Sequence, residues 1–370
     1  MSCEQCNSNH KDLFFIHQGL RMCRVCLSVA TLEPIEITCP NHLIEDINLS
    51  FDLTLKQKEV SKQLCNTYER NILFEAVCGA GKTECVLELI KDRLNKGLKV
   101  GWAIPRRQVV LELTSRLQKV FPSLSIIAVC EGYTTQLSAD LVLFTTHQAF
   151  RYKQSFDVLI LDEVDAFPYK GNHLLHHLIS QTYKQQCIMM SATIPSNLRK
   201  TMTLEKWPHI TCYERPTQIP LTIPVHIKTL SWIMIFMIFK LKHRQKKWLI
   251  FVPSIKLAQR YALILRCDSL TSKSNDKEKI IERFSNAEQG MLVCTTILER
   301  GVTFINVHVM VIMAHHRVFD ESSLVQIAGR VGRHKMYPTG DVFFISSQES
   351  EEMNACIRTL QNANVIAYGV

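Results

Sequence analysis

Residues 72–94, with the sequence ILFEAVCGAGKTECVLELIKDRL, combine a short apolar run, a glycine-rich turn and an amphipathic segment. The apolar run predicts a buried strand, and the helical spacing of the later apolar residues predicts a helix. Between them, glycines let backbone N–H groups and a helix N-terminus close around phosphates, while Lys82 offers an ammonium and Thr83 a magnesium-binding hydroxyl. The segment therefore predicts a phosphate-binding loop made of Gly79, Ala80, Gly81, Lys82 and Thr83.

Two carboxylates follow a second apolar run, residues 158–161, and the first of them lies 80 residues beyond Lys82. At the tip of a buried strand, Asp162 can hold the Mg²⁺ that bridges the β and γ phosphates, and Glu163 can orient and deprotonate the attacking water. An acidic cluster by itself is as often a solvated turn. The phosphate-binding loop favours the catalytic interpretation.

Arg330 and Arg333 lie three residues apart in QIAGRVGR, residues 326–333. On one turn of a helix their guanidinium groups would point the same way and could stabilise negative charge on a γ-phosphate. A surface basic helix would account for the charges but not for the glycines at positions 329 and 332. The predicted catalytic residues are Lys82, Asp162, Glu163, Arg330 and Arg333.

The rest of the chain predicts an α/β fold with two parallel-sheet domains. Short apolar runs alternate with helical patterns on both sides of a proline-rich stretch, as buried parallel strands and their crossover helices do. Prolines interrupt helices and strands because they lack an N–H donor. We expect a cysteine-rich module at 1–45, a first domain at 46–207, a linker at 208–224 and a second domain at 225–370.

The protein is expected to be cytoplasmic, and its net charge is compatible with binding of a polyanion. The net charge of +9 divides into −3 for residues 1–48 and +12 for residues 49–370, so the main body could bind a polyanion. The start lacks the pattern of a secretory signal. The longest apolar run, residues 232–239, has eight residues, fewer than the roughly 20 that a membrane-spanning helix needs.

Four of the 14 cysteines have the spacing of a structural zinc site. Two Cys-x2-Cys pairs, 16 residues apart, can complete a tetrahedral site of four thiolates, and the predicted ligands are Cys3, Cys6, Cys23 and Cys26. A redox-active pair is the main alternative. Cys39 and His42 are interpreted as bystanders, although the spacing leaves their contribution open. The acidic charge of this module favours docking to a protein over binding DNA.

Taken together and in this order, the motifs resemble those of superfamily 2 helicases and translocases. The resemblance covers about residues 50–345 and implies two RecA-like domains that bind ATP between them, with single-stranded nucleic acid across their tops. It implies that Gln57 and Gln326 help to bind ATP, and that Asp165, Ser191, Thr193 and Gly301 couple hydrolysis to movement. The residues that it implies for the strand path are Pro105, Arg106, Thr146, His147, Thr295 and Thr296.

With the cysteine module included, the whole chain resembles the ComFA family of late-competence ATPases. The string LDEVDAFP at 161–168 and the segment HRVF at 316–319 add to this resemblance. It implies a cytosolic, ATP-driven motor at the inner face of the membrane that pulls incoming single-stranded DNA inward. It also implies three partners: a ComFC-type phosphoribosyltransferase-like protein, the DprA recombinase loader and the membrane DNA-uptake channel.

Two other functions are considered. A primosome-like restart or repair helicase would carry further modules, for which about 37 residues after Arg333 leave no room. A catalytically silent, zinc-dependent DNA-binding scaffold would not be expected to keep Lys82, Asp162, Glu163 and both arginines.

Overall fold

A computed structural model describes residues 3, 11–17, 19–24, 35–229, 246–296 and 304–370. Its internal contacts divide the chain into two units. Unit 1 contains Met1–Glu75 and Lys82–Thr211, and unit 2 contains Ala76–Gly81 and Cys212–Val370. The positions from the sequence analysis that lie outside the described residues are Cys6, Cys26, Gly301 and the apolar run 232–239.

Unit 1 begins with a short hairpin. A 3₁₀ turn at Lys11–Leu13 leads into strands β1 (Phe14–His17) and β2 (Leu20–Cys23), which pair antiparallel with Cys23 opposite Phe14. Gly19 lies in the connection at φ +78°, where a residue without Cβ is favoured.

The main body of unit 1 is a seven-stranded sheet in the order β5-β6-β4-β7-β8-β3-β9. Its strands are β3 (Asn71–Ala76), β4 (Val100–Ile104), β5 (Ile126–Val129), β6 (Leu141–Thr145), β7 (Phe156–Leu161), β8 (Tyr183–Ser191) and β9 (His209–Cys212). Its helices are α1 (Leu55–Asn66), α2 (Lys82–Cys85), α3 (Leu87–Asn95), α4 (Arg107–Val120), α5 (His173–Ser180) and α6 (Ser196–Glu205), with a 3₁₀ turn at Thr146–Arg151. Every residue of β4 and β6 is buried, as expected for central strands covered on both faces.

Unit 2 carries a six-stranded sheet, β10-β15-β14-β11-β13-β12, in which all neighbouring strands are parallel. The strands are β10 (Val225–Lys228), β11 (Lys247–Phe251), β12 (Asp268–Leu270), β13 (Gly290–Cys294), β14 (Val307–Ile312) and β15 (Val342–Ser346). The described helices are α7 (Ile255–Leu265), α8 (Lys277–Asn286), α9 (Glu321–Ala328) and α10 (Glu351–Tyr368). Its core packs Trp248, Ile250 and Val293 of the central strands against Leu265 of α7.

The prediction of an α/β fold with two parallel-sheet domains is confirmed. One local difference concerns the helix after the phosphate-binding loop, which forms two pieces, α2 and α3, separated by Val86. None of the helices in the described part of the chain combines the length and apolar character that crossing a membrane requires.

Candidate active site

The predicted polar residues of unit 1 gather at one edge of its sheet. In the part of the sheet ordered β6-β4-β7-β8-β3, each strand runs parallel to the next. The carboxyl ends of these five strands therefore meet at the same edge. This edge carries Lys82 after β3, Pro105 and Arg106 after β4, Thr146 and His147 after β6, Asp162 and Glu163 after β7, and Ser191 and Thr193 at the end of β8. Open parallel sheets bind their ligands at such an edge.

Asp162 and Glu163 form a tight turn at the tip of β7. The backbone N–H of Asp162 donates to the carbonyl of Ala103 at 2.9 Å, and Asp162 Oδ1 accepts from the N–H of Glu163 at 2.8 Å. Glu163 has φ +53°, a left-handed conformation that costs a residue with a Cβ about 1–3 kcal/mol. Such backbone conformations cluster at functional sites, where the surrounding structure holds them in place. The turn therefore fixes the Asp162 carboxylate and the backbone of Glu163 at the strand tip.

A hydrogen-bonded link joins the ends of β7 and β8. Thr193 Oγ1 donates to Asp165 Oδ2 at 2.8 Å, and the N–H of Thr193 donates to Ser191 Oγ at 3.2 Å. Ser191 Oγ in turn donates to the carbonyl of Thr193 at 2.5 Å. All three residues are buried. The structure thus brings these three predicted coupling residues together in one network.

Lys82 and Thr83 begin α2, and both are half-buried. Gln57 is buried in the first turn of α1 and forms a capping box with Thr54. Its amide oxygen accepts from the Thr54 N–H at 2.9 Å, and Thr54 Oγ1 accepts from the Gln57 N–H at 3.2 Å. The cap fixes the orientation of the Gln57 amide, and Gln57 itself helps to begin the helix.

The residues predicted for the strand path in unit 1 differ in accessibility. His147 is exposed and Arg106 is half-buried, whereas Pro105 and Thr146 are buried. Next to Arg106, the exposed Arg107 donates from Nε to the carbonyl of Glu131 at 2.9 Å. Only Arg106 and His147 of the four predicted residues could therefore contact a ligand without rearrangement, and the other two shape the edge.

In unit 2, Thr295 and Thr296 come directly after β13 and are half-buried. Gln326 lies on α9 and is buried. Its side-chain Oε1 accepts a hydrogen bond from Cys78 Sγ at 3.0 Å. Cys78, which directly precedes Gly79 of the phosphate-binding loop, therefore contacts one of the residues predicted to bind ATP.

The two arginines after α9 lie in a turn, which differs from the helical turn that their spacing predicts. The helix ends at Ala328, and Gly332 has φ +71°, which no helix contains. Arg330 is only 2% exposed, whereas Arg333 is half-buried and donates from Nε to the carbonyl of Gly329 at 2.8 Å.

The loop segment Ala76–Gly81 packs against this turn inside unit 2. A Cβ built on Gly329 would lie 2.4 Å from Cys78 Cβ, so only glycine permits this approach. A Cβ built on Gly79 would lie 3.6 Å from Arg333 Cγ. Gly79 also has φ +85°, which favours glycine at this position. The phosphate-binding loop and the Arg333 side chain are thus direct neighbours.

Sequence reasoning missed Arg215, which is 3% exposed and bonds to both the loop and the turn. It lies in the stretch that the prolines mark as a linker, and no local pattern distinguishes it there. The contact between Cys78 and Gln326 was also missed, because it joins residues 248 positions apart.

The cysteine module is described in part. Cys23 is buried at the end of β2 and Cys3 is half-buried, while the other two predicted ligands lie outside the described residues. Within the described ranges, no group of three or more His, Cys, Asp or Glu residues has the arrangement of a metal site.

Comparison with protein families identifies two helicase regions. Residues 54–201 match the DEAD/DEAH box helicase family, and residues 227–335 match the helicase conserved C-terminal domain. These matches identify the chain as an ATP-hydrolysing helicase, which accords with the loop, carboxylates and arginines described above.

Solved helicase structures share this fold. The structure of Mss116p bound to single-stranded RNA and AMP-PNP is 17% identical in sequence, with a TM-score of 0.62. The match covers 83% of this chain and 77% of that one. For RecG bound to a three-way DNA junction, identity is 17% and the TM-score 0.59, covering 86% of this chain and 47% of that one.

Curated relatives extend the similarity over nearly the whole chain. Competence protein ComFA of Streptococcus pneumoniae strain R6 is 34% identical over 98% of this chain and 90% of its own length. Competence protein ComFA of Bacillus subtilis strain 168 is 30% identical over 99% of this chain and 86% of its own length. On the strength of these two relatives, this chain belongs to the ComFA family.

Proposed function

We propose that this protein is an ATP-driven motor on single-stranded DNA that drives or assists the import of transforming DNA during natural competence. The two curated relatives are named competence proteins. The observation that carries the motor assignment is the packing of Ala76–Gly81 against the turn Gly329–Arg333. This packing places the backbone of the phosphate-binding loop next to the Arg333 side chain.

In this proposal the ATP phosphates bind the N–H groups of residues 79–83 and the Lys82 ammonium. Mg²⁺ would be held by Thr83 and Asp162 and would neutralise charge that develops on the phosphates. Glu163, fixed by its turn at the tip of β7, accepts a proton from the attacking water. Arg330 and Arg333 stabilise the γ-phosphate, and Gln57 and Gln326 complete the nucleotide site.

The strand of DNA is proposed to run along the carboxyl edges of the sheets. Arg106 and His147 supply accessible side chains there, and Pro105 and Thr146 shape the surface. Thr295 and Thr296 take the corresponding place after β13. The net charge of +12 over residues 49–370 favours a polyanionic ligand. Gly301 and the linked residues Asp165, Ser191 and Thr193 would couple this path to hydrolysis.

The test is ATP hydrolysis by the full chain without nucleic acid and with single-stranded DNA, duplex DNA or RNA. Single-stranded DNA should raise kcat more than the other nucleic acids do. Glu163→Gln is the control, and it should lower kcat by at least about 100-fold because the water loses its general base. Turnover that is absent, or indifferent to every nucleic acid, would contradict the proposal.

We further propose that Cys3, Cys6, Cys23 and Cys26 hold one structural Zn²⁺. Their spacing supports this, as does the hairpin that ends at Cys23. The purified full chain should contain about one zinc per molecule by elemental analysis, and Cys3→Ser combined with Cys23→Ser should remove it. Cys39→Ser is the matched control and should keep the metal. Equal zinc content in all three proteins would exclude this site.

A cytoplasmic location, at the inner face of the membrane, completes the proposal. The partners proposed there are a ComFC-type protein, DprA and the DNA-uptake channel. Affinity purification of the full chain from competent cells, compared with a chain that lacks residues 1–45, tests whether the acidic module docks to them. Recovery of the same partners by both chains would show that the module is not the docking element.

A further inference from the structure

Arg215 connects the phosphate-binding loop to the turn that carries Arg333. Its Nε donates to the carbonyl of Cys78 at 2.8 Å. Its Nη1 donates to the carbonyl of Val331 at 2.7 Å and to that of Gly332 at 3.3 Å, and its Nη2 donates to the carbonyl of Gly329 at 3.1 Å. One guanidinium thus bonds four backbone carbonyls, one on the loop and three on the turn.

The bond to Cys78 has a direct consequence for the loop. The peptide bond between Cys78 and Gly79 is planar and trans, so its C=O and N–H point in opposite directions. Because Arg215 holds the carbonyl, the Gly79 N–H must point away from Arg215. In a phosphate-binding loop, such N–H groups are the phosphate ligands. Arg215 therefore sets the direction of one of them.

The bonds to the turn have a second consequence. The carbonyl of Gly329 accepts from Arg215 Nη2 and also from Arg333 Nε, at 3.1 Å and 2.8 Å. A shift of Arg215 would disturb an acceptor that Arg333 uses. The three carbonyls span positions 329–332, so Arg215 holds the backbone of the whole turn and not one residue of it.

Arg215 can make these charged hydrogen bonds at neutral pH because its guanidinium group stays protonated. Burial, reinforced by the positive charge of Arg333, lowers the pKa of Arg215 to about 10, which is still well above 7. Hydrogen bonds from a charged donor are stronger than neutral ones, and the carbonyl dipoles compensate for burial of the charge.

We propose that Arg215 is a positioning residue for ATP hydrolysis, which orients the Gly79 N–H toward the phosphates and fixes the turn that carries Arg333. The inference rests on the proposed nucleotide site, because it assigns Arg215 a role in building that site. A fluorescent ADP analogue tests the loop alone, since it lacks the γ-phosphate, and kcat for ATP tests the loop and turn together.

Arg215→Met should raise the dissociation constant of the ADP analogue by at least about tenfold, because one N–H loses its imposed direction. It should also lower kcat by at least about tenfold. Arg215→Lys keeps the charge and some donors, so it should give smaller losses of ADP affinity and of kcat. Arg333→Ala should lower kcat but leave ADP affinity within about twofold, because the loop keeps its own bonds.

Arg93 provides the matched control for burial. It is 1% exposed and also bonds backbone carbonyls, those of Cys65 and Thr67, but these lie in unit 1 outside the loop. Arg93→Met should lower the melting temperature and leave ADP affinity within about twofold. A variant that is only less stable binds with lower stoichiometry and unchanged affinity.

The inference is overturned if Arg215→Met and Arg215→Lys both bind the ADP analogue within about twofold of the parent affinity, whatever their stability. Lys82→Ala separates this result from a failure of the proposed site. If Lys82→Ala hydrolyses ATP as fast as the parent, the proposed nucleotide site is wrong and the inference falls with it.

Discussion

A buried hydrogen bond joins Thr193, beyond β8, to Asp165, beyond β7, with 2.8 Å between Oγ1 and Oδ2. Asp165 is 3% exposed and Thr193 is 8% exposed, so water cannot readily replace a lost donor. The bond links the strand that carries the candidate catalytic carboxylates to its neighbour. It is therefore a place where hydrolysis and movement could be coupled.

Thr193→Val removes the donor and leaves the Asp165 carboxylate buried, which should lower the free energy of unfolding by about 1–3 kcal/mol. If the bond transmits movement, ATP-dependent displacement of a bound strand should fall more than kcat for hydrolysis. Thr201→Val is the control, because Thr201 is only half-buried on α6 and its Oγ1 donates to the Asn197 carbonyl of the same helix at 3.2 Å. Equal losses of displacement and hydrolysis would argue against coupling.

The close approach of Gly329 to Cys78 can be tested by substitution. Gly329→Ala places a Cβ 2.4 Å from Cys78 Cβ, and such overpacking should cost about 1–3 kcal/mol of stability. Cys78→Gly removes the opposing atom, so the double variant should lose less than the sum of the two single losses. Denaturant unfolding of all four proteins measures this coupling. Additive losses would show that the two residues do not meet.

Among the secondary-structure elements, β14 of unit 2 carries a pH-sensitive contact. His308 is 9% exposed, its ring lies 5.1 Å from that of Trp248, and its Nδ1 accepts from the Asp341 N–H at 2.9 Å. Burial and the charge of Lys246 lower the pKa of His308 below 6.5, although the Asp341 carboxylate opposes this. At neutral pH the ring is therefore uncharged in the folded protein.

A histidine with a lowered pKa binds protons more readily in the unfolded chain. The stability that it contributes is complete above pH 6.5 and is lost as the pH falls from there through the lower folded pKa. The melting temperature of the protein should thus decline on acidification, and His308→Gln should show a weaker decline over the same window. His316→Gln is the matched control. Parallel pH profiles for the parent and His308→Gln would contradict the prediction.

Sequence reasoning found central strands such as β7, because residues 158–161 form a short apolar run that is buried. It did not predict β5, β12 or β15. Strands β9 and β10 lie in or beside the proline-rich stretch and were not predicted either. The candidate catalytic motifs could be predicted because each requires particular residues next to one another. Arg215 could not be found, since its role depends on carbonyls that are 114–137 positions away.

For the whole molecule, charge makes a prediction that is independent of any single site. The charge of +12 over residues 49–370 should release counterions from a bound strand. The logarithm of single-strand affinity should fall linearly with the logarithm of salt concentration, by about 0.7 per phosphate contact. Arg106→Ala should make this slope shallower, and the exposed Lys119→Ala should not. A flat salt response would contradict a strand path that grips phosphates.

ATP-driven movement along single-stranded DNA is measured most directly by displacement of streptavidin from strands biotinylated at either end. The full chain should accelerate streptavidin release from one of the two ends when ATP is added, and Glu163→Gln should not. Hydrolysis of ATP on the strand without accelerated streptavidin release from either end would contradict ATP-driven movement.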